Sequence, residues 1–114
     1  MHELSIAIGI VNIANEACKK ARKSAVTKIG LEIGKLSGIE INALNFVWPV
    51  AVENSVLADA EKVIYEVEAE GVCLECSTTY KLDNHYDGCP SCGSYFKDIR
   101  SGKELKVKYI EAIN

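Results

Sequence analysis

The sequence predicts an α+β fold: two helices packed on a small β-sheet, plus a zinc-ribbon-like module held by four cysteines. Three patterns in the 114 residues indicate this fold. Apolar residues recur at helical spacing in two segments, apolar and polar residues alternate in others, and two CxxC motifs lie close together. A strand-like segment follows the second CxxC motif, and we expect this C-terminal strand to return to the main sheet. The main α+β domain is then discontinuous, with residues 1–71 and about 103–114 flanking a cysteine module at 72–102.

The first helix is predicted over residues 4–23. Its apolar side is formed by residues at helical spacing, namely Leu4, Ala7, Ile8, Val11, Ala14, Cys18 and Ala21. Lysines and Arg22 cluster in the last turns, where positive charge complements the helix dipole. Because Cys18 lies on the apolar side, we expect it to be a small core residue rather than a metal ligand.

The second helix is predicted over residues 42–54, with Asn42 as its N-cap. The expected apolar side consists of Leu44, Val47, Val50 and Ala51. Pro49 removes one intrahelical hydrogen bond, so we expect a kink or a late start. Asn54 is expected to end the helix in a left-handed conformation.

Strands are predicted where apolar and polar residues alternate, at residues 26–36, 62–69, 94–99 and 104–110. The sequence Arg-Ser-Gly-Lys at residues 100–103 suits a hairpin turn between the last two. The final strand is expected to bury one apolar face, made of Leu105, Val107 and Tyr109.

Composition limits the classes of partner. Thirteen basic and sixteen acidic residues give a net charge of −3, which argues against a dedicated nucleic-acid surface. The uncharged run at residues 41–52 is too short to span a bilayer. The N-terminal segment lacks the features of a secretion signal. We therefore expect a cytoplasmic protein with no membrane partner.

The two CxxC motifs predict a structural zinc site whose ligands are Cys73, Cys76, Cys89 and Cys92. Two residues between thiolates let both sulfurs point into one turn, and two facing turns make a tetrahedral cage. The odd total of five cysteines and their clustering disfavour a disulfide framework, and a redox dithiol lacks its βαβ context. The spacer, residues 77–88, is polar and expected to be too short for a core of its own. His85 within it is expected to be solvated.

The amino terminus offers a second, chemically different set of donors. The Met1 α-amine, the His2 amide nitrogen and the His2 imidazole can form adjacent chelate rings around one metal. The fourth donor is either the amide or the carboxylate of Glu3. Such a flat, nitrogen-rich set suits Ni(II) or Cu(II) and disfavours tetrahedral Zn(II).

Four motifs in one order resemble the hydrogenase nickel-incorporation (maturation) protein HypA/HybF family. They are Met-His-Glu-Leu at residues 1–4, Ile-Gly-Lys-Leu-Ser at 33–37, the double CxxC ending in Cys-Pro-Ser-Cys-Gly at 89–93, and Gly-Lys-Glu-Leu at 102–105. The resemblance covers essentially the whole chain. Zinc ribbons are widespread, so the double CxxC motif alone does not select this family. An initial Met-His-Glu followed by a zinc ribbon at this distance along the chain is far more specific for it.

The resemblance implies a metallochaperone rather than an enzyme. Members of this family help insert nickel into the large subunit of [NiFe]-hydrogenase and act with the GTPase HypB. Some members also serve urease, so the resemblance implies urease maturation factors as further partners. By this resemblance, His2 is the essential nickel ligand with Met1 and Glu3 beside it, and the four cysteines hold structural Zn²⁺ while Ni²⁺ is transferred. We expect a monomer or a weak homodimer.

Two alternatives stay open at this point. A zinc-ribbon nucleic-acid-binding or protein-adaptor module is favoured by basic residues near the ribbon, namely Lys97, Arg100, Lys103, Lys106 and Lys108. The overall acidity weighs against nucleic acid. A thiol enzyme using Cys18 or one CxxC motif is the second alternative, but no Cys/His pair has the sequence context of a nucleophile and its base.

Overall fold

The computed structural model describes residues 2–114, over which the chain forms two helices and six strands. In chain order they are α1 (Glu3–Ala21), β1 (Ala25–Gly34), α2 (Ile41–Ala51), β2 (Glu61–Val67), β3 (Ala69–Cys73), β4 (Thr79–Leu82), β5 (Lys97–Ser101) and β6 (Leu105–Ile113). The strands form two three-stranded sheets, ordered β2-β1-β6 and β4-β3-β5. Since β6 lies beside β1, the predicted α+β fold with a returning C-terminal strand is confirmed.

The chain divides into two compact units. The first comprises Met1–Leu31, Ile39–Ile64 and Val107–Asn114, and it contains α1 and α2, which pack against each other. The second comprises Glu32–Gly38 and Tyr65–Lys106. Both CxxC motifs belong to this second unit.

Helix α1 buries a face that the sequence predicted only in part. The buried side chains are Glu3, Ala7, Ile10, Val11, Ala14 and Cys18. Cys18 is a core residue as predicted, whereas Leu4 and Ile8 are each 45% exposed, so their predicted burial is wrong. Apolar residues occur on both sides of this helix, and their spacing alone did not determine which side faces the core. The helix ends at Ala21 and is followed by the C-cap residue Arg22, whose φ of 58° is left-handed.

Helix α2 is capped by Glu40, so the predicted Asn42 cap is wrong. The Glu40 carboxylate accepts the N–H groups of Asn42 at 3.2 Å and Ala43 at 2.8 Å. Pro49 lies inside the helix without delaying its start, and Val52 N–H still donates to a carbonyl one turn back. Asn54, with a φ of 59°, lies beyond the helix end at Ala51 rather than forming it.

The buried side of α2 also differs from the prediction. Leu44 and Trp48 are buried, while Val50 is 68% exposed. Val50 was expected on the apolar side, but Trp48, four residues after Leu44, lies on the buried side of the helix instead. Neither α1 nor α2, the helices of residues 2–114, is long and apolar enough to cross a membrane.

The predicted hairpin turn at residues 100–103 is wrong. Strand β5 pairs antiparallel with β3, whereas β6 belongs to the other sheet. Between them Gly102 has a φ of +107°, and an added Cβ there would lie 2.5 Å from the Cβ of Ala69. Glycine is therefore required for the close approach to β3. In β6, Leu105 is 41% exposed, contrary to its predicted burial.

The second unit has its own small core around β3, the central strand of its sheet. The core contains Ala69, Cys73, Tyr80, Leu82 and Cys89, with Leu36 and Ile99 packed against it. Two of these, Tyr80 and Leu82, come from the spacer between the CxxC motifs, which forms strand β4. These two side chains pack against residues from outside the spacer, because β4 alternates its side chains between this shared core and solvent.

Candidate metal centre

The four cysteines of the CxxC motifs come together in the second unit. Their sulfur atoms all lie within 4.8 Å of one another. The Sγ atoms of Cys73 and Cys92 are 3.6 Å apart, and those of Cys76 and Cys89 are 3.5 Å apart. A tetrahedral metal with bonds of about 2.3 Å to sulfur needs sulfurs separated by about 3.8 Å. The cluster therefore has the size of a four-thiolate metal site.

The first knuckle, residues 73–78, is closed by backbone hydrogen bonds. Ser77 N–H donates to the carbonyl of Cys73 at 3.0 Å, and Cys73 N–H donates to the carbonyl of Thr78 at 2.8 Å. Within the turn, Glu75 N–H points at the Cys73 sulfur at 3.4 Å. The Thr78 hydroxyl lies 3.1 Å from the Cys76 sulfur. Backbone and side chain thus place hydrogen-bond donors around both sulfurs of this knuckle.

The second knuckle, residues 89–94, repeats this geometry. Gly93 N–H donates to the carbonyl of Cys89 at 2.8 Å, Cys89 N–H donates to the carbonyl of Ser94 at 2.8 Å, and Ser91 N–H points at the Cys89 sulfur at 3.4 Å. The fourth residue after the first cysteine has a left-handed conformation in both knuckles, with φ 65° at Ser77 and 79° at Gly93. Two equivalent turns therefore face each other across the sulfurs.

The inner edge of the cluster is formed by Cys73 and Cys89, which are buried, while Cys76 and Cys92 are exposed. The backbone N–H of Cys76 is the main cause that lowers the pKa of Cys73. Burial raises the pKa of Cys89, but the N–H groups of Cys92 and Ser91 outweigh it and bring this pKa down to about 6. The buried sulfurs thus favour the thiolate form, which is the form that binds metal.

Cys92 keeps its proton at neutral pH when no metal is bound. The backbone N–H of Ser94 lowers its pKa, but the bond to the Cys73 sulfur and the other neighbouring sulfurs raise it further, to about 12. A metal that binds all four sulfurs must displace this proton. Metal binding is therefore expected to weaken as the pH falls.

Tyr80 was not identified as a site residue from the sequence. It is only 7% exposed, and it packs in the core that contains Cys73 and Cys89. Its hydroxyl oxygen has no hydrogen-bond partner among residues 2–114. Burial raises the pKa of this phenol, and the charges of Cys89 and Cys73 raise it further. Apolar residues alternating in the spacer, Tyr80 and Leu82, were the available signal for a strand at this position.

At the amino terminus, His2 is exposed and immediately precedes α1, where its side chain makes no capping hydrogen bond. Met1 lies outside the described residues. Glu3 is only 4% exposed, and its carboxylate accepts the backbone N–H groups of Glu40 at 3.2 Å and His2 at 3.3 Å. The Glu40 N–H is the main cause that lowers the pKa of Glu3. Glu3 is therefore ionised and already engaged with the backbone.

The basic residues that favoured a nucleic-acid module are largely engaged within the second unit. Arg100 pairs with Asp98 at 3.1 Å, and Lys106 pairs with Glu32 at 3.3 Å. The Lys97 ammonium donates to two backbone carbonyls at 3.0 Å. The two ion pairs reduce the positive charge that such a surface would offer to phosphates, while the carbonyl contacts restrain the Lys97 ammonium without neutralising it.

Comparison with known proteins covers the whole chain. Residues 1–112 match the family described as "HypA: Hydrogenase/urease nickel incorporation, metallochaperone, hypA". A protein named hydrogenase maturation factor HypA from Prosthecochloris aestuarii is 41% identical over 96% of this chain and 97% of that protein. The protein of the same name from Psychromonas ingrahamii is 41% identical over all of both chains.

A solved structure gives the same result for the fold. The solution structure of the Ni metallochaperone HypA from Helicobacter pylori superposes with a TM-score of 0.71 at 25% identity. The match covers 99% of this chain and 98% of that chain. The sequence motifs, the four-cysteine cluster and the fold thus lead to one conclusion: the chain belongs to the HypA family of hydrogenase/urease nickel-incorporation metallochaperones.

Proposed function

We propose that this protein is a nickel carrier, not an enzyme. It binds Ni²⁺ at its amino terminus and delivers it to the large subunit of [NiFe]-hydrogenase in the cytoplasm, with a HypB-type GTPase as partner. Membership of the HypA family is the observation that carries this proposal. The relatives are named as hydrogenase maturation factors, and the related Helicobacter pylori protein is named as a Ni metallochaperone.

The proposed nickel donors are the Met1 α-amine, the His2 amide nitrogen and the His2 imidazole. Exposure of His2 supports this assignment, because an exposed imidazole is accessible both for binding and for ligand exchange with a recipient. These nitrogens suit the square-planar preference of Ni²⁺. They bind only when deprotonated, so nickel affinity falls with acid.

Glu3 is the proposed source of the fourth donor, through its amide nitrogen. Its carboxylate already accepts the N–H of Glu40, and turning this carboxylate toward a metal would break that bond. An amide donor leaves the bond in place. Deprotonation of the His2 amide does remove the second hydrogen bond to the Glu3 carboxylate, so nickel binding and this bond exclude each other.

The proposed role of the four thiolates is to hold Zn²⁺ as a structural ion. Cys73, Cys76, Cys89 and Cys92 fill a tetrahedral coordination shell and leave no open position for chemistry. We assign the nickel function to the discontinuous domain of residues 1–71 and about 103–114, and zinc binding to residues 72–102. A thiolate cage and a nitrogen chelate differ in softness and geometry. Zn²⁺ therefore prefers the thiolates, and Ni²⁺ prefers the nitrogen donors.

Nickel titration calorimetry of untagged protein tests the proposal. We compare the wild type with His2→Ala and with a chain extended by residues before Met1, and His85→Ala serves as the control because His85 is the second of the two histidines. Nickel binding is expected to be lost in the first two variants and kept in the control, with one zinc per chain throughout. Unchanged nickel affinity in the extended chain would exclude the α-amine as a donor.

Delivery is tested in cells that lack their own family member. Wild-type protein is expected to restore hydrogenase activity and His2→Ala is not, although both accumulate to the same level. Measuring urease activity in the same strains separates the two candidate recipients. Restoration by His2→Ala would contradict the nickel-carrier proposal.

A further inference from the structure

We propose that the groove between residues 17–23, at the end of helix α1, and strand β6 binds an extended, acidic peptide segment of a partner protein. The segment adds to the sheet as a further strand beside β6. One large apolar side chain of the segment enters a cavity in this α1–β6 groove, and its acidic residues lie near the basic end of α1. The inference does not depend on the proposed nickel and zinc sites.

A cavity of about 250 Å³ lies in the α1–β6 groove, within the first compact unit. Most of its walls are small apolar side chains, and the lining residues are Ala17, Cys18, Ala21, Lys23, Ile110 and Ala112. Partner proteins commonly anchor large apolar side chains in pockets of this kind. The cavity is therefore suited to one side chain of the size of Leu or Phe.

Strand β6 offers a free edge beside this cavity. In the sheet order β2-β1-β6, it has a neighbouring strand on one side only within residues 2–114. The carbonyls of Glu111 and Ile113 accept hydrogen bonds from β1 and from the residue before it, at 3.1 and 2.9 Å. Because backbone groups alternate in direction along a strand, those of Ile110 and Ala112 point to the open edge. Both residues also line the cavity, so a peptide strand paired with them passes beside it.

The end of α1 supplies positive charge to the groove. Residues 17–24 contain no acidic residue and four exposed basic residues, namely Lys19, Lys20, Arg22 and Lys23. None of the four forms an ion pair with a residue in the described part of the chain. Charge complementarity therefore favours an acidic partner. The open strand edge favours an extended peptide over a nucleic acid, because peptide backbones complete a sheet by hydrogen bonding.

The groove and the proposed nickel donors lie at opposite ends of α1. His2 immediately precedes the helix, and Ala17 lies about 20 Å further along its axis at 1.5 Å per residue. A peptide bound in the groove therefore leaves His2 accessible for metal exchange.

A fluorescein-labelled peptide of nine residues, equal in length to β6, tests the proposal. In this peptide Glu alternates with Thr around a single central Phe. Two comparison peptides carry Lys in place of every Glu, or Ala in place of the central Phe. Fluorescence polarisation with the full-length protein gives each Kd, and hydrogen–deuterium exchange locates the bound peptide.

Two variants of the protein address the cavity and the charge separately. Ala17→Leu fills the cavity, and Lys23→Glu reverses the charge at its wall. Ala58→Leu and Lys103→Glu are the matched controls, because both positions are exposed and lie outside the groove. The Tm of each variant checks its folding, and the peptide with Ala in place of Phe tests the cavity without altering the protein.

The wild type is expected to bind the Glu peptide, which should slow amide exchange in residues 105–113. Ala17→Leu and the loss of Phe from the peptide should each raise the Kd about tenfold. Because both changes remove one contact, combining them should cost little more than either alone. Lys23→Glu should weaken binding more at low salt than at high salt, and the two controls should bind as the wild type does.

Three results would overturn the proposal: no binding of the Glu peptide by the wild type, binding without slowed exchange in residues 105–113, or equal affinity for the Glu and Lys peptides. Sedimentation of the protein without peptide provides a fourth check. A dimer in which residues 105–113 exchange slowly would assign the strand edge to a second copy of this chain and would also overturn it.

Discussion

The carboxylate of Glu3 accepts the backbone N–H of Glu40 at 3.2 Å, although the two residues are 37 positions apart in the sequence. Glu40 in turn uses its own carboxylate to cap α2. The start of α1 and the start of α2 are therefore joined through two consecutive acceptor carboxylates. The proposed nickel donors lie directly before this connection.

Replacing Glu3 with Gln is expected to lower the Tm by a few degrees. The amide retains an oxygen acceptor but loses the negative charge that strengthens the bond from Glu40 N–H. Thermal unfolding followed by circular dichroism measures the change. Glu16→Gln, at an exposed position of the same helix, is the control and should leave the Tm nearly unchanged. An equal Tm for both variants would show that the Glu3 charge contributes nothing.

The stability that Glu3 provides is expected to depend on pH. The Glu40 N–H chiefly lowers its folded-state pKa below the usual value of 4.5. A lowered pKa means that the unfolded chain takes up the proton first as the pH falls. The contribution is thus present above pH 4.5 and is lost as the pH falls through the lower folded-state pKa. The Tm difference between wild type and Glu3→Gln should accordingly shrink in acid; a difference that grows would have the wrong sign.

The two equivalent positions of the knuckles are expected to respond to substitution in opposite directions. Gly93→Ala places a Cβ in a left-handed conformation and should destabilise the zinc-loaded protein by about 1 kcal/mol, although no atom within 4 Å blocks the Cβ. Ser77→Gly relieves the same strain at φ 65° and should be neutral to stabilising.

Gly9→Ala is the control for these knuckle variants. Gly9 lies inside α1, and an added Cβ there also meets nothing within 4 Å. Alanine at a helical position should stabilise the protein by about 0.5–1 kcal/mol. Denaturant unfolding of all three variants gives the comparison. A destabilising Gly9→Ala would mean that the glycine effects do not come from backbone conformation.

Cysteine substitutions are expected to distinguish the cysteines that bind metal from the core cysteine of α1. Cys89→Ser removes a buried sulfur of the cluster and should weaken zinc binding by more than about 100-fold. Cys18→Ala should retain one zinc per chain, because Cys18 is buried in α1 outside the cluster. Metal analysis after dialysis against a chelator measures both. Zinc loss from Cys18→Ala would contradict the four-cysteine assignment.

The sequence was most informative where structure is encoded locally. The CxxC spacing predicted that four cysteines come together, since each knuckle is closed by hydrogen bonds within six consecutive residues. The alternation that predicted β1 and β6 is also a short-range pattern, whereas the pairing of β6 with β1 was expected from the burial of one face of β6. The nickel ligand set of Met1, His2 and Glu3 stays a prediction.

The sequence was least informative where distant residues decide the outcome. Glu40 rather than Asn42 caps α2, and its N–H is held by Glu3, a contact that no local pattern contains. The exposed Ile8 and the buried Ile10 have equal hydrophobicity, so only the packing of α1 distinguishes them. Tyr80 entered the sulfur core because of the register with Gly71.

The division of the sulfur cluster into an inner and an outer edge sets the order in which it is damaged. An electrophile or peroxide arriving from solvent meets Cys76 and Cys92 before it meets the shielded pair. Metal release by such reagents therefore begins with the loss of one outer thiolate, while β3 and the Cys73 at its end still hold their place in the sheet. Sulfenic acids and disulfides formed at these two outer sulfurs are reversible by thiol reductants.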